Sequence, residues 1–327
     1  MSNTFSVAIQ RCTTYQADAV QAAVEQAVNL LGGMRAFVKP GGLVLIKPNL
    51  LFARPPEAAV TTHPAVVEAV ARLALDCGGR VVIGDSPPLA SAKRVAEMAG
   101  IADVARRWNL TVVDLNRPAP GHRRPPARTA SAASPSLDRT VLEADVVINV
   151  PKLKAHQQMF LTCGVKNLFG CVKGRRKAYW HFKLRHGPDL FAEMLLALYE
   201  RIASELTIVD AVIGMEGMGP GSGTPKPLGL ILAGGDALAV DRAVTEILPV
   251  NWRDHYVIRA ARQRGFPAAE LESLHFPGLT PAEARVEAFQ LPEIAPIGFS
   301  LTHLIKGLAR SAAQRVKRIR AAEAASR

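Results

Sequence analysis

Four cysteines, at 12, 77, 163 and 171, are all that a chain of 327 residues contains, and no two stand as CxxC. No cysteine–histidine pair has zinc-finger spacing either, which excludes the common small zinc modules. The longest apolar runs fall well short of the roughly 18 to 20 residues that a membrane span requires. The amino-terminal stretch MSNTFSVAIQ has neither a basic start nor an apolar signal core. A cytoplasmic location, with reduced thiols, is therefore expected. Aromatic residues make up only 6% of the chain. No stacked-aromatic motif and no helix-turn-helix signature accompanies its basic segments. With 49% hydrophobic and 21% charged residues, the composition is that of a packed globular protein rather than a disordered one.

One further absence is local. No acid occurs between Asp145 and Asp189, whereas nine Lys and Arg residues lie in 148–186. A solvated face usually mixes signs. A one-sign segment that leaves an apolar run at 146–150 and is broken by Gly164, Gly170 and Gly174 reads as a place where anions go. The last 27 residues add a net six positive charges, so the remainder of this +12 chain is slightly acidic.

Periodicity gives the architecture. Strands are expected at 6–12, 42–48, 80–84, 110–115 and 146–150. Helices are expected at 15–31, stopped by Gly32-Gly33, from Pro64 to about 77 with Thr62 as cap, and across 91–108. This alternation predicts an α/β fold: a mainly parallel, Rossmann-like sheet with helices on both faces. Residues 116–136 carry five prolines and four arginines, which predicts a long irregular loop. A helix at 188–204, strands at 206–214 and 228–234, a glycine-rich loop at 214–223 and a helix capped by Asp236 follow. The expected units are an α/β domain over 1–250, an irregular helical extension over 251–300 and a basic amphipathic helix or tail over 301–327.

Several polar residues stand where such a sheet binds ligands, outside the carboxyl ends of its strands. Lys47 and Asn49 end the second strand and Asp85 ends the third. Lys152 and Lys154 leave the fifth; in an extended chain they project the same way. Together with Lys47 they would hold a phosphate or carboxylate. Lys166 and Asn167 are polar within an apolar frame, so Lys166 is a candidate base or nucleophile. His156 and His181 are candidate proton carriers. Asp210, in an apolar strand, and Glu216 need partners; they would face the lysines or bind a divalent cation. Asp241 stands open between a structural and a functional role. The glycine-rich loop is neither a Walker loop nor a GxGxxG turn.

The segments VLIKPNL (44–50), TTHPAVVEAV (61–70), GDSP (84–87), NVPKLKAH (149–156), GVKNLFG (164–170) and ILAGGDALAVD (231–241) together resemble the DUF362 family. The resemblance spans about residues 5–250 and implies a shared fold and site rather than a reaction. Many members carry a CxxCxxCxxxC segment for iron–sulfur clusters. This chain has none, so a cluster within it is not expected. Lys166 to Gly170 followed by His181 is loosely similar to lactate racemase-like proteins, but the proline of that turn is missing and a nickel-pincer cofactor is not expected. The expectation is an enzyme that binds a small anion in a lysine-lined cleft. Alternatives are a redox protein served by a separate ferredoxin-like partner, and a nucleic-acid or membrane-surface binder using the basic tail.

Overall fold

In the computed structural model the described residues are 4–117, 135–172, 177, 179–180, 183–184 and 187–294. His181, most of the arginine-rich loop (118–134) and the basic tail (301–327) lie outside them.

The described strands are β1 (Phe5–Arg11), β2 (Leu43–Pro48), β3 (Arg80–Asp85), β4 (Thr111–Asp114), β5 (Val146–Val150), β6 (Lys152–His156), β7 (Phe160–Thr162), β8 (Leu206–Glu216), β9 (Thr224–Gly234) and β10 (Leu274–His275). They form one sheet in the order β10-β1-β9-β8-β5-β2-β3-β4, with β6 and β7 attached beside β8. Neighbours from β8 through β4 are parallel, and β9 runs antiparallel to both β1 and β8.

Burial on both faces explains the continuous apolar runs. Val44 and Ile46 of β2 enter one core together with α1 (Ala17–Asn29), α2 (Pro64–Asp76), α3 (Ala92–Met98) and α4 (Ile101–Arg107). Leu45 points the other way, into a core shared with α5 (Arg139–Glu143), α6 (Gly164–Asn167), α7 (Pro188–Ile202), α8 (Ala237–Ile247) and α9 (Tyr256–Gln263). The fold is thus α/β and Rossmann-like, with helices on both faces. No helix among the described residues is long and apolar enough to cross a membrane.

Local expectations are corrected in three places. The single helix expected over 91–108 is two, because Gly100 sits at φ 74° and turns the chain between α3 and α4. His63, not Thr62, caps α2: its Nδ1 accepts the Ala65 N–H at 3.2 Å, while the Thr62 hydroxyl donates to the Val150 carbonyl at 2.7 Å. The glycine-rich stretch is partly strand, since β8 continues to Glu216 and β9 resumes at Thr224. Residues 251–294 contribute α9 and the edge strand β10, and Ala284 and Phe289 join the second core.

Chain order locates the crevice. From β2 the chain moves outward to β3 and then β4; it then crosses back to β5, and from there continues to β8 on the other side. The direction of winding therefore switches between β2 and β5, and the carboxyl ends of these strands flank the switch point where open α/β sheets bind ligands.

Candidate functional site

The last residues of β2 and β3 meet at that point. Lys47 is fully buried and its Nζ lies 3.1 Å from Asp85 Oδ1. Lys47 also donates to the Pro48 carbonyl at 2.6 Å and, at 3.4 Å, to Asn167 Oδ1. Asp85 accepts the Leu50 and Ser86 N–H groups at 2.7 and 2.6 Å. Gly170 lies against this pair: a Cβ there would overlap Asp85 Oδ1 and Lys47 Nζ, so only glycine lets the chain approach.

Three asparagines tie the strand ends to α6. Asn167 donates to Asn149 Oδ1 at 2.8 Å and accepts from Asn49 Nδ2 at 2.9 Å. Asn149 donates to the Gly164 carbonyl at 2.9 Å. Asn49 in turn accepts from Lys154 Nζ at 2.7 Å.

The remaining lysines surround this frame. Lys154 donates to Asn49 and to the Val60 carbonyl at 2.8 Å, and no carboxylate among the described residues is paired with it. Burial, followed by the charges of Lys166 and Lys152, pushes its pKa well below the lysine range. Lys177 donates to the Ser86 carbonyl. Burial lowers Lys177 to about 8 against the opposing pull of Asp85. Lys166, on α6, stays partly accessible to solvent. Its Nζ lies 5.2 Å from the Phe169 ring centre and 5.7 Å from that of Phe191, and it makes no hydrogen bond or ion pair among the described residues. The crowding of protein atoms around it, then the charges of Lys177 and Lys47, lower it to about 7. Among the described residues, one carboxylate, Asp85, thus stands against these four lysines.

α6 is only one turn long and depends on outside support. Asp241 of α8, 1% exposed, accepts the Gly164 and Val165 N–H groups at 2.5 and 3.0 Å. The Cys163 thiol hydrogen-bonds the same carboxylate, and burial raises Asp241 to about 7. The open assignment of Asp241 thus resolves as the anchor of the turn that presents Lys166 and Asn167. Asp241→Ala would leave two buried N–H donors without acceptors, at a cost of about 1–3 kcal/mol. Urea unfolding of this variant measures the loss, and Asp241→Asn, which keeps one acceptor, is expected to restore part of it.

Other candidates fall elsewhere. Lys152 and Lys154 take different partners, and the pairing of β6 with β8 shifts register between them, although each still senses the other's charge. Lys152 donates to the Tyr15 hydroxyl at 2.6 Å and pairs with Asp210 at 2.9 Å. Asp210 also accepts from Tyr15 at 2.7 Å and from the His63 N–H at 2.8 Å. Glu216 lies six residues further along β8, roughly 20 Å away at strand rise, and accepts the Gln290 N–H at 2.8 Å. The expected Asp210–Glu216 cation pair is therefore not brought together. Among the described residues no group of three or more His, Cys, Asp and Glu side chains is placed to hold a metal ion. His156 Nδ1 accepts the Gln158 and Met159 N–H groups at 3.1 and 3.2 Å, and so shapes the turn after β6. A depression of about 480 Å³, lined by residues including Phe5, Phe37 and Asp236, lies at the opposite end of the sheet, where β1 begins.

Sequence reasoning gave Lys177, Asn149, Tyr15 and His63 no individual role. Asn149 left a usable signal, a polar side chain in the apolar run VVINV. Tyr15 left none.

Residues 44–246 match the family model of DUF362, described as a domain of unknown function. The chain is 38% identical over 302 residues to a thylakoid-associated protein of Synechocystis sp., covering 92% of each. Two solved structures are similar in part. The lactate racemase apoprotein from Thermoanaerobacterium thermosaccharolyticum has a TM-score of 0.39 and 12% identity over 64% of this chain. A protein from Thermotoga maritima has a TM-score of 0.40 and 12% identity over 61% of it. The chain spans about half the length of these two, 50% and 51%. The family match spans every lysine, asparagine and aspartate of the site at the β2–β5 switch point, and the chain belongs to the DUF362 family.

Proposed function

We propose that the protein is an enzyme whose substrate is a small anion, bearing a phosphate or carboxylate, received at the carboxyl ends of β2, β3 and β6. The observation that carries this reading is the excess, among the described residues, of four lysines over one carboxylate, with Lys166 making no hydrogen bond or ion pair there. Each ammonium has three donors. Lys47 spends its contacts on Pro48, Asn167 and Asp85, so it organises the site. Counting partners among the described residues, Lys154 has one donor to spare, Lys177 two and Lys166 all three. These three would be the ligand contacts, and an anion would supply the counter-charge the cluster lacks. A lysine near 7 also exchanges protons readily at neutral pH, which suits general acid–base work.

The pH dependence follows from the lowered values. Only the protonated ammoniums attract an anion, so affinity should fall as pH rises through about 7 and 8, the values of Lys166 and Lys177. Ligand-free stability should move the opposite way. Between about 7 and 10.5 the unfolded chain holds protons that folded Lys166 has released, so stability rises with pH over that window. Thermal unfolding with and without inorganic phosphate or oxalate, at roughly pH 6.5 and roughly pH 9, measures both trends. The expected result is a larger anion-induced rise in Tm at the lower pH. If no anion raises Tm at either pH, the reading fails.

A further inference from the structure

We propose that Lys166 is an imine-forming lysine, and that the anion the site receives carries a ketone or aldehyde carbonyl close to its charged end. This rests on the anion-site reading and adds a chemical class to it. Lys166 differs from its neighbours in kind. Lys47 and Lys152 are buried against carboxylates, and Lys154 and Lys177 are held by carbonyl or amide oxygens. The amines of these four are held in place by their partners. The Lys166 amine instead sits over two phenylalanine rings, keeps some solvent access and has no hydrogen-bond or ion-pair partner among the described residues. Burial and adjacent cations disfavour the charged form of a lysine and so favour its acting as a nucleophile, against the weak pull of the two ring faces on the ammonium. Its lowering to about 7 agrees, since much of the amine is then neutral at neutral pH.

Its neighbours supply the rest of the step. Lys177 lies near the same Phe169 ring, 5.7 Å from its centre, and is mostly protonated at neutral pH. Its ammonium can hold the anionic end of the substrate, with Lys154 adding a hydrogen-bond donor. The neutral Lys166 Nζ then attacks the carbonyl carbon. The C–N bond forms as the C–O π bond opens, and the oxygen takes a proton from the Lys177 ammonium. The oxygen leaves as water with a second proton, one of those lost by the attacking nitrogen; the other restores Lys177 to its ammonium form. A neutral imine remains, and a further proton taken up from solvent makes it the iminium. No oxidant or reductant takes part.

Reductive trapping tests this. The full-length protein is incubated with pyruvate or dihydroxyacetone phosphate and cyanoborohydride, which delivers hydride to the iminium and leaves a stable secondary amine. Peptide mass spectrometry then locates the adduct. The expected result is one adduct per chain, on the peptide containing Lys166. It should be absent in Lys166→Met, suppressed by excess inorganic phosphate and slowed roughly 10-fold in Lys154→Met. Lactate, which has no ketone or aldehyde group, should leave no adduct. Phosphate that still binds while no adduct forms, or while adducts scatter over surface lysines, would overturn the imine and leave the anion site standing. An adduct on Lys166 that phosphate fails to suppress would keep the nucleophile but remove the anion reading.

Discussion

Replacing Asp85 by Asn is expected to destabilise the protein by about 3–5 kcal/mol, the cost of leaving a buried charge without its partner. Asp85 is 3% exposed and is the carboxylate paired with Lys47, whose side chain is fully buried. It also accepts two backbone N–H groups, from Leu50 and Ser86. An amide keeps one acceptor and turns its NH2 toward a donor. It also leaves Lys47 among Lys154, Lys166 and Lys177 with no compensating charge. Urea unfolding at neutral pH measures the loss. Lys47→Met introduced together with Asp85→Asn should recover a large part of it, because the stranded cation is then gone. A loss under about 1 kcal/mol for the single substitution would mean that the pair is solvated like a surface salt bridge.

Lys166→Met is expected to do the reverse: little to stability and much to binding. The side chain has no hydrogen-bond or ion-pair partner among the described residues, and a methionine can occupy the space over Phe169 and Phe191. Removing a cation held near other cations relieves repulsion, so stability should hold or rise slightly. Anion affinity should fall roughly 10- to 100-fold, the worth of a charge-assisted hydrogen bond of about 1.5–3 kcal/mol. Competition binding with inorganic phosphate gives the affinity, and urea unfolding confirms that the fold is intact. Unchanged affinity in a folded variant would remove Lys166 from the site.

Much of this arrangement is legible in the sequence because it depends on the ends of strands. Apolar runs such as GLVLIKP mark strands covered on both faces, and in a parallel sheet their carboxyl ends lie on one edge. That alone brings Lys47, Asn49 and Asp85 together before any contact is known. The pairing of the lysines is a different matter. Lys152 and Lys154 are two residues apart and look equivalent, yet one meets Asp210 and Tyr15 and the other Asn49 and Val60, with a register shift against β8 between them. Such a shift leaves no mark in composition or periodicity. The basic stretch reads as uncompensated because its counter-charges, Asp85 and Asp210, lie 67 residues before Lys152 and 58 after it. Gly100 is ambiguous for a related reason: an isolated glycine in a helical pattern costs only about 1 kcal/mol and need not end the helix. Its positive φ decides the break, and φ is not read from spacing.

Calorimetric titration with inorganic phosphate at about pH 7.5, in two buffers of different ionisation enthalpy, is the most direct test that these lysines receive an anion. Saturable binding with net proton uptake is expected, since the arriving charge draws protons onto Lys166, near 7, and Lys177, near 8. The uptake should shrink in Lys166→Met. Absence of binding, or binding with no proton exchange and the same affinity in Lys166→Met, would contradict an anion site built on this cluster.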